Sequence, residues 1–185
     1  PMDRRRSVQV IAVTGGKGGV GKSTLSINLA TGFALGGRKT LLLDGDLGLA
    51  NADVMLGVTP KYTLGDVISG DRSLEEVLTP VRPNLSIVAG ASGISALAGL
   101  GEAEHIGIVR AFSSLVDDID VLVVDTPAGI SAGVLQLTQA AQHIIVVVCD
   151  EPASVTDAYA VIKVLSAEHS IRHFKVVTNM TRSGG

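Results

Sequence analysis

Short aliphatic runs alternate with amphipathic stretches along the whole chain. "VQVIAV" (8–13) is the first run: it carries no charge and stops at glycines, the signature of a strand buried on both faces. Similar runs recur in "KTLLLD" (39–44), "NLSIVA" (84–89), "DVLVVD" (120–125), "HIIVVVC" (143–149) and "HFKVVTN" (173–179). Between them the spacing predicts helices over 22–35, closed by Gly36-Gly37, over 102–118, over 130–141 and over 152–168. Ile108, Phe112, Leu115 and Ile119 share one face of the second of these, and Val155, Tyr159, Ile162 and Leu165 share one face of the last. "GDLGLANADVMLGV" (45–58) reads as loop with a short helical turn, and 64–69 and 73–78 as small helices. Strand and helix alternating in this way predict an α/β fold: a doubly wound, mostly parallel sheet with helices on both faces and right-handed crossovers.

Composition supports that picture. Hydrophobic residues make up 46% and aromatics only 3%, so branched aliphatics, alanine and 22 glycines do the packing. A net charge of −3, from 15 basic and 18 acidic residues, gives no bulk basic field for nucleic acid. The single cysteine, Cys149, cannot form an internal disulfide. It reads as a small buried hydrophobe in a reducing compartment. Residues 126–149 lack any charge and are long enough to raise a membrane-spanning reading. Pro127, three glutamines, His143, Gly129 and Gly133 point instead to a buried turn, helix and strand. "PMDRRRS" shows no secretory signal, so 1–7 reads as a tag scar with a solvated basic tail, and 8–185 as one domain. "MTRSGG" leaves the last strand without a covering helix, so the domain is expected to continue past residue 185.

The chemistry concentrates in "GGKGGVGKST" (15–24). Gly16, Gly21, Lys22 and Ser23 complete G-x-x-x-x-G-K-[ST], a phosphate loop, in the strand–loop–helix setting it requires. Backbone N–H groups of Gly16 to Thr24, including Gly18, Gly19 and Val20, would converge on phosphate oxygens at a helix N-terminus. Lys22 would neutralise the β/γ-phosphates, and the Ser23 hydroxyl would ligate Mg²⁺. Asp125 ends one strand in "VLVVDTPAG" and Asp44 and Asp46 end another in "LLLDGD", where open α/β sheets place their ligands. Asp125 resembles the Walker B position, which implies that it holds Mg²⁺ through water and that the Gly129 N–H is available to the terminal phosphate.

An ordinary phosphate loop needs one lysine, and here Lys17 precedes it. "KGGVGKS" with that extra lysine resembles the deviant Walker A motif of the MinD/ParA ATPases. Within that family "DGDLGLANADVMLGVTP", "DTPAGI" and "VVCDEPASVTDAYAVIKVL" look like the flagellar-number regulators FleN and FlhG. The resemblance implies a MinD-like P-loop fold, bound ATP or ADP with Mg²⁺, and a homodimer formed face to face around ATP. It implies that Lys17 reaches the partner's phosphates in the manner of an arginine finger. It places Asp46 as the residue that positions the attacking water, Asp44 near Mg²⁺, and Asn51 in the same switch loop. Glu151 matches a residue that contacts the signature lysine across the dimer, although it is equally a helix cap beside Pro152. Asp157 matches a partner-binding position, but Ser154–Asp157 also reads as a capping box, the favoured reading. Asn179 matches the adenine-reading asparagine.

The function this implies is a slow, dimer-activated ATPase switch. Its partners would be a flagellar transcriptional activator, a flagellar GTPase or switch-ring proteins. The setting would be cytoplasmic, with peripheral membrane or polar contact through a helix after residue 185. The competing reading is a ParA-like DNA-partitioning ATPase, which the acidic balance disfavours. Cluster-carrying relatives of the same fold need at least two cysteines per chain, and Cys149 stands alone.

Overall fold

The computed structural model describes residues 8–45, 51–90 and 119–181. The helix expected over 102–118 lies outside them, as does Asp46. Seven strands form one sheet: β1 (Gln9–Thr14), β2 (Thr40–Asp44), β3 (Thr79–Arg82), β4 (Leu85–Val88), β5 (Val121–Asp125), β6 (His143–Cys149) and β7 (Lys175–Asn179). Their order is β3-β4-β2-β5-β1-β6-β7. All neighbours are parallel except β3 with β4. The described helices are α1 (Lys22–Leu35), α2 (Ala52–Leu56), α3 (Leu64–Ile68), α4 (Ala132–Gln139) and α5 (Pro152–His169).

Both faces of the sheet are covered, which is why the central strands read as unbroken aliphatic runs. Ile11, Val13, Leu42, Val121 and Val123 pack with Ala30 and Ala34 of α1 on one face. Leu41, Leu43, Val88, Leu122 and Val124 pack with Leu64 and Leu74 on the other, and Ile144, Val146 and Val148 with Ala158 of α5. The buried positions of α1 are Lys22, Ser26, Ala30 and Ala34, every fourth residue. Small side chains along that row let the helix lie close to the sheet. Gln142 extends the β1–β6 pairing, its amide accepting the Val10 N–H and donating to the Val8 carbonyl, each at 3.1 Å.

From β1 the chain crosses through α1 to β2, passing the position that β5 fills. From β5 it crosses β1 to reach β6. The two crossovers leave in opposite directions around β1, which opens a crevice at the carboxyl ends of β1, β2 and β5.

Two expectations change. Residues 74–77 are a turn and not a helix: Leu74 and Val77 are buried, which supplied the helical spacing, but no helical ladder follows. The next segment, Thr79–Arg82, is the antiparallel edge strand β3, which the aliphatic pattern did not reveal because it is short and contains Pro80. Proline cannot donate to a ladder and is accommodated at a sheet edge, where the register shifts between Pro80 and Arg82. A capping box that the sequence reading did not single out exists at α3, whose Thr63 N–H bonds Asp66 Oδ2 at 2.7 Å, whereas the one read at Ser154–Asp157 is absent. α5 starts at Pro152, where the spacing put it, with Glu151 as N-cap. Ser154 sits inside the helix, and its hydroxyl accepts the Cys149 N–H at 2.9 Å.

Candidate functional site

The loop between β1 and α1 has one packed side and one open side. Gly16 lies so close to the backbone of Asp157 in α5 that any Cβ would overlap it. Gly21 is the N-cap of α1 at φ 94°, a left-handed conformation that suits glycine, and a Cβ there would overlap the Asn179 amide. Gly18 and Gly19 are the reverse: a Cβ at either would meet nothing within 4 Å. α1 begins with no side-chain cap and no acidic residue in its first turn. A helix N-terminus built this way has backbone donors and a positive dipole to offer an anion.

Lys22 is buried, and its Nζ lies 3.4 Å from the Lys17 carbonyl. Ser23 follows it, half-buried, and Thr24 is exposed. The Val20 side chain joins the core, and its carbonyl accepts from Asn179 Nδ2 at 2.9 Å. Asn179, at the end of β7, therefore sits directly on the loop. Its amide is oriented by that bond, with Nδ2 toward the loop.

Asp44 and Asp125 are register partners at the ends of β2 and β5, and both are almost completely buried. Asp44 Oδ2 accepts the Ala52 N–H at 3.1 Å, which ties the start of α2 to β2. Asn51, the N-cap of α2, is exposed. Asp125 Oδ1 lies 3.0 Å from the Ser26 hydroxyl, a contact that sequence reading missed. Serine one helical turn past the phosphate loop carries no motif of its own, and its acceptor is 99 residues away. Thr126 donates from both its N–H and its hydroxyl to the Val13 carbonyl, locking the start of the following loop to β1.

The Gly129 N–H is donated to the Gly15 carbonyl at 3.1 Å, which ties the loop after β5 to the phosphate loop. Lys17 donates to Glu151 Oε2 of its own chain at 2.5 Å, so the pair forms within one molecule. The side chain of Glu151, although the residue is the N-cap of α5, makes no cap bond. Its hydrogen bond, and then its charge, hold the Lys17 ammonium above its ordinary pKa.

The donor set fits a magnesium nucleotide. A hard cation takes oxygen ligands and keeps several waters, so it needs one or two protein oxygens beside phosphate rather than a protein cage. Among the described residues no three histidine, cysteine or acidic side chains converge to make such a cage. Ser23 in the first turn of α1, and Asp44 and Asp125 at the ends of β2 and β5, supply the oxygens.

The chain as a whole is similar to several known proteins. Residues 6–183 match the ParA family, described as NUBPL iron-transfer P-loop NTPase. The chain is 52% identical over 182 residues to the antiactivator FleN of Pseudomonas aeruginosa, covering 98% of this chain and 65% of that protein. It is 36% identical over 164 residues to the flagellum site-determining protein YlxH of Helicobacter pylori, covering 89% of this chain and 56% of that one. The chain thus spans less than two thirds of the length of either. Among solved structures it is similar to MinD from the Aquifex aeolicus MinC:MinD complex, at TM-score 0.78 and 32% identity, covering 92% of this chain and 68% of that one. It is also similar to Pyrococcus horikoshii MinD complexed with Mg-ADP, at TM-score 0.73 and 29% identity, covering 91% of this chain and 68% of that one.

Proposed function

The chain belongs to the MinD/ParA family of P-loop NTPases, and from that premise we propose that it is an ATP-driven dimerising switch acting in flagellar regulation. The observation that carries the reading is one arrangement: buried Lys22 at an uncapped helix N-terminus, and two buried aspartates at adjacent strand ends, one of them bonded to Ser26 of the same helix. Lys22 holds the phosphates in cis. Mg²⁺, when bound, would neutralise phosphate charge; the Ser23 hydroxyl would ligate it, Asp125 would hold it through water, and Asp44 would lie near it. Asn179 reads the base, the loop having fixed its amide so that the Oδ1 acceptor is left for a donor such as the adenine amino group. Asp46 positions the attacking water and Asn51 belongs to the same switch.

Lys17 acts on the partner's phosphates. For that it has to leave Glu151, so the ion pair within the chain belongs to the monomer and the crossing lysine to the dimer. The slow, dimer-activated turnover of this reading follows, because catalysis waits for a cation supplied from outside. The similarity to antiactivator FleN and to flagellum site-determining YlxH supports a flagellar role, with a transcriptional activator, a flagellar GTPase or switch-ring proteins as partners. Among the described residues no helix is long and apolar enough to cross a membrane. Membrane contact in this reading is peripheral. The plasmid-partition structures of similar shape are 18% and 19% identical and speak only to the fold, so DNA partitioning has no observation of its own.

Light scattering on the full-length protein with ADP, and with a non-hydrolysable ATP analogue, tests the switch. A monomer with ADP and a dimer with the analogue are expected. A monomer in both states would remove the dimerising function, and absence of nucleotide binding by calorimetry would remove the site.

A further inference from the structure

We infer that Ser26 is a positioning residue for the metal half of this site, holding the Asp125 carboxylate in the orientation that Mg²⁺ binding needs. The inference rests on the nucleotide-site reading above and goes one shell deeper. Ser26 is completely buried on α1, one turn beyond Lys22. Its hydroxyl lies 3.0 Å from the Lys22 carbonyl and 3.0 Å from Asp125 Oδ1. A mid-helix serine commonly bonds back to the carbonyl four residues earlier, and that alone would satisfy it. Here the single hydroxyl proton has a second acceptor, a buried carboxylate, and a charged acceptor makes the stronger bond.

The geometry gives that bond a purpose. A carboxylate offers about four lone-pair sites on two oxygens, so one bond from Ser26 leaves it able to accept others. What the bond removes is rotation. Asp125 comes from the end of β5, whereas the phosphate loop comes from β1 and α1. Ser26 joins them by a side chain on the same helix that carries Lys22 and Ser23. Outer partners of directly ligating groups typically change metal affinity about 10–100-fold when removed; Asp125 acts through water, so Ser26 stands one step further out and belongs at the lower end of that range.

The test is metal affinity, read apart from hydrolysis. Mn²⁺ binding to the ADP complex of the full-length protein is titrated by electron paramagnetic resonance, and ADP affinity in EDTA is measured by calorimetry. Ser26→Ala removes the hydroxyl at almost constant volume. It should weaken Mn²⁺ about 10-fold or more while leaving metal-free ADP binding within about two-fold, because Lys22 and the loop remain. Ser26→Thr, which keeps the hydroxyl, should bind Mn²⁺ near the wild-type level. In an Asp125→Asn background Ser26→Ala should have no further effect. Wild-type Mn²⁺ affinity in Ser26→Ala overturns the inference. So does equal loss in the alanine and threonine variants, which would assign the effect to packing. If the alanine variant does not fold, Ser26→Cys, of similar size and a far weaker donor, carries the same comparison. Failure of the wild type to bind ADP at all would sink the nucleotide reading instead, a separate outcome.

Discussion

Lys17 is exposed, yet its direction is set. Glu151 accepts its ammonium proton and raises its pKa above the ordinary 10.5, the hydrogen bond being the larger cause and the carboxylate charge the next. A raised lysine pKa adds stability below the unfolded-state value, and that contribution is lost as pH rises through the folded value. The window therefore lies above pH 10.5, and the pair is intact at neutral pH. An exposed pair adds little to folding; its consequence is where the amine points. Glu151→Gln should return the Lys17 titration toward 10.5, followed by NMR of its ε-methylene signals. An unchanged curve would mean that the pair is not populated in solution. Gly21 makes a sharper demand. Its φ of 94° costs a residue with a side chain roughly 1–2 kcal/mol, and the added Cβ would push the Asn179 amide away from Val20. Gly21→Ala is expected to lose ADP affinity at least about 10-fold by calorimetry, on the order of 1.4 kcal/mol. Affinity within two-fold of wild type would show that the loop tolerates the change.

At the scale of elements, α5 does more than cover the sheet. Its N-terminal end meets the phosphate loop twice, through Asp157 against Gly16 and through the N-cap Glu151 on Lys17. It is anchored to β6 by Ser154, whose hydroxyl takes the buried Cys149 N–H. Ser154→Ala would leave that donor unpaired and should cost about 1–3 kcal/mol in chemical denaturation. A loss below about 0.5 kcal/mol would show the N–H finding another acceptor. The same comparison shows how a local pattern can mislead. Ser154–Asp157 has the letters of a capping box, but Pro152 at the first helical position had already begun the helix.

At the scale of the molecule, Lys17 and the catalytic aspartate are proposed to serve different active sites. A mixing experiment reads this directly. Lys17→Ala and Asp46→Ala should each bind ATP, because Lys22 is intact, and each should be inactive alone. In a mixed dimer the site on the Lys17→Ala chain keeps its own Asp46 and receives Lys17 from its partner. Activity should return at one site of two, measured by phosphate release. Mixed dimers without recovered activity would count against a role for Lys17 in trans, and full activity of Lys17→Ala as a monomer would end it.

The sequence by itself determined the sheet class, the strand positions to within a residue or two at most ends, and the phosphate loop. These are local signals: aliphatic runs mark buried strands, and a loop that grips phosphate with its own backbone must be contiguous. It also put Asp44 and Asp125 at strand ends, since each closes an aliphatic run. Tertiary structure alone decided what those residues touch. Ser26 meets Asp125 across 99 residues and Lys17 meets Glu151 across 134. Both depend on β1 lying between β5 and β6, an order that no single strand's pattern encodes. The Gly129 N–H found the Gly15 carbonyl for the same reason. Strand β3 escaped because its alternating burial is spread over four residues and broken by proline, so only its pairing with β4 makes it a strand.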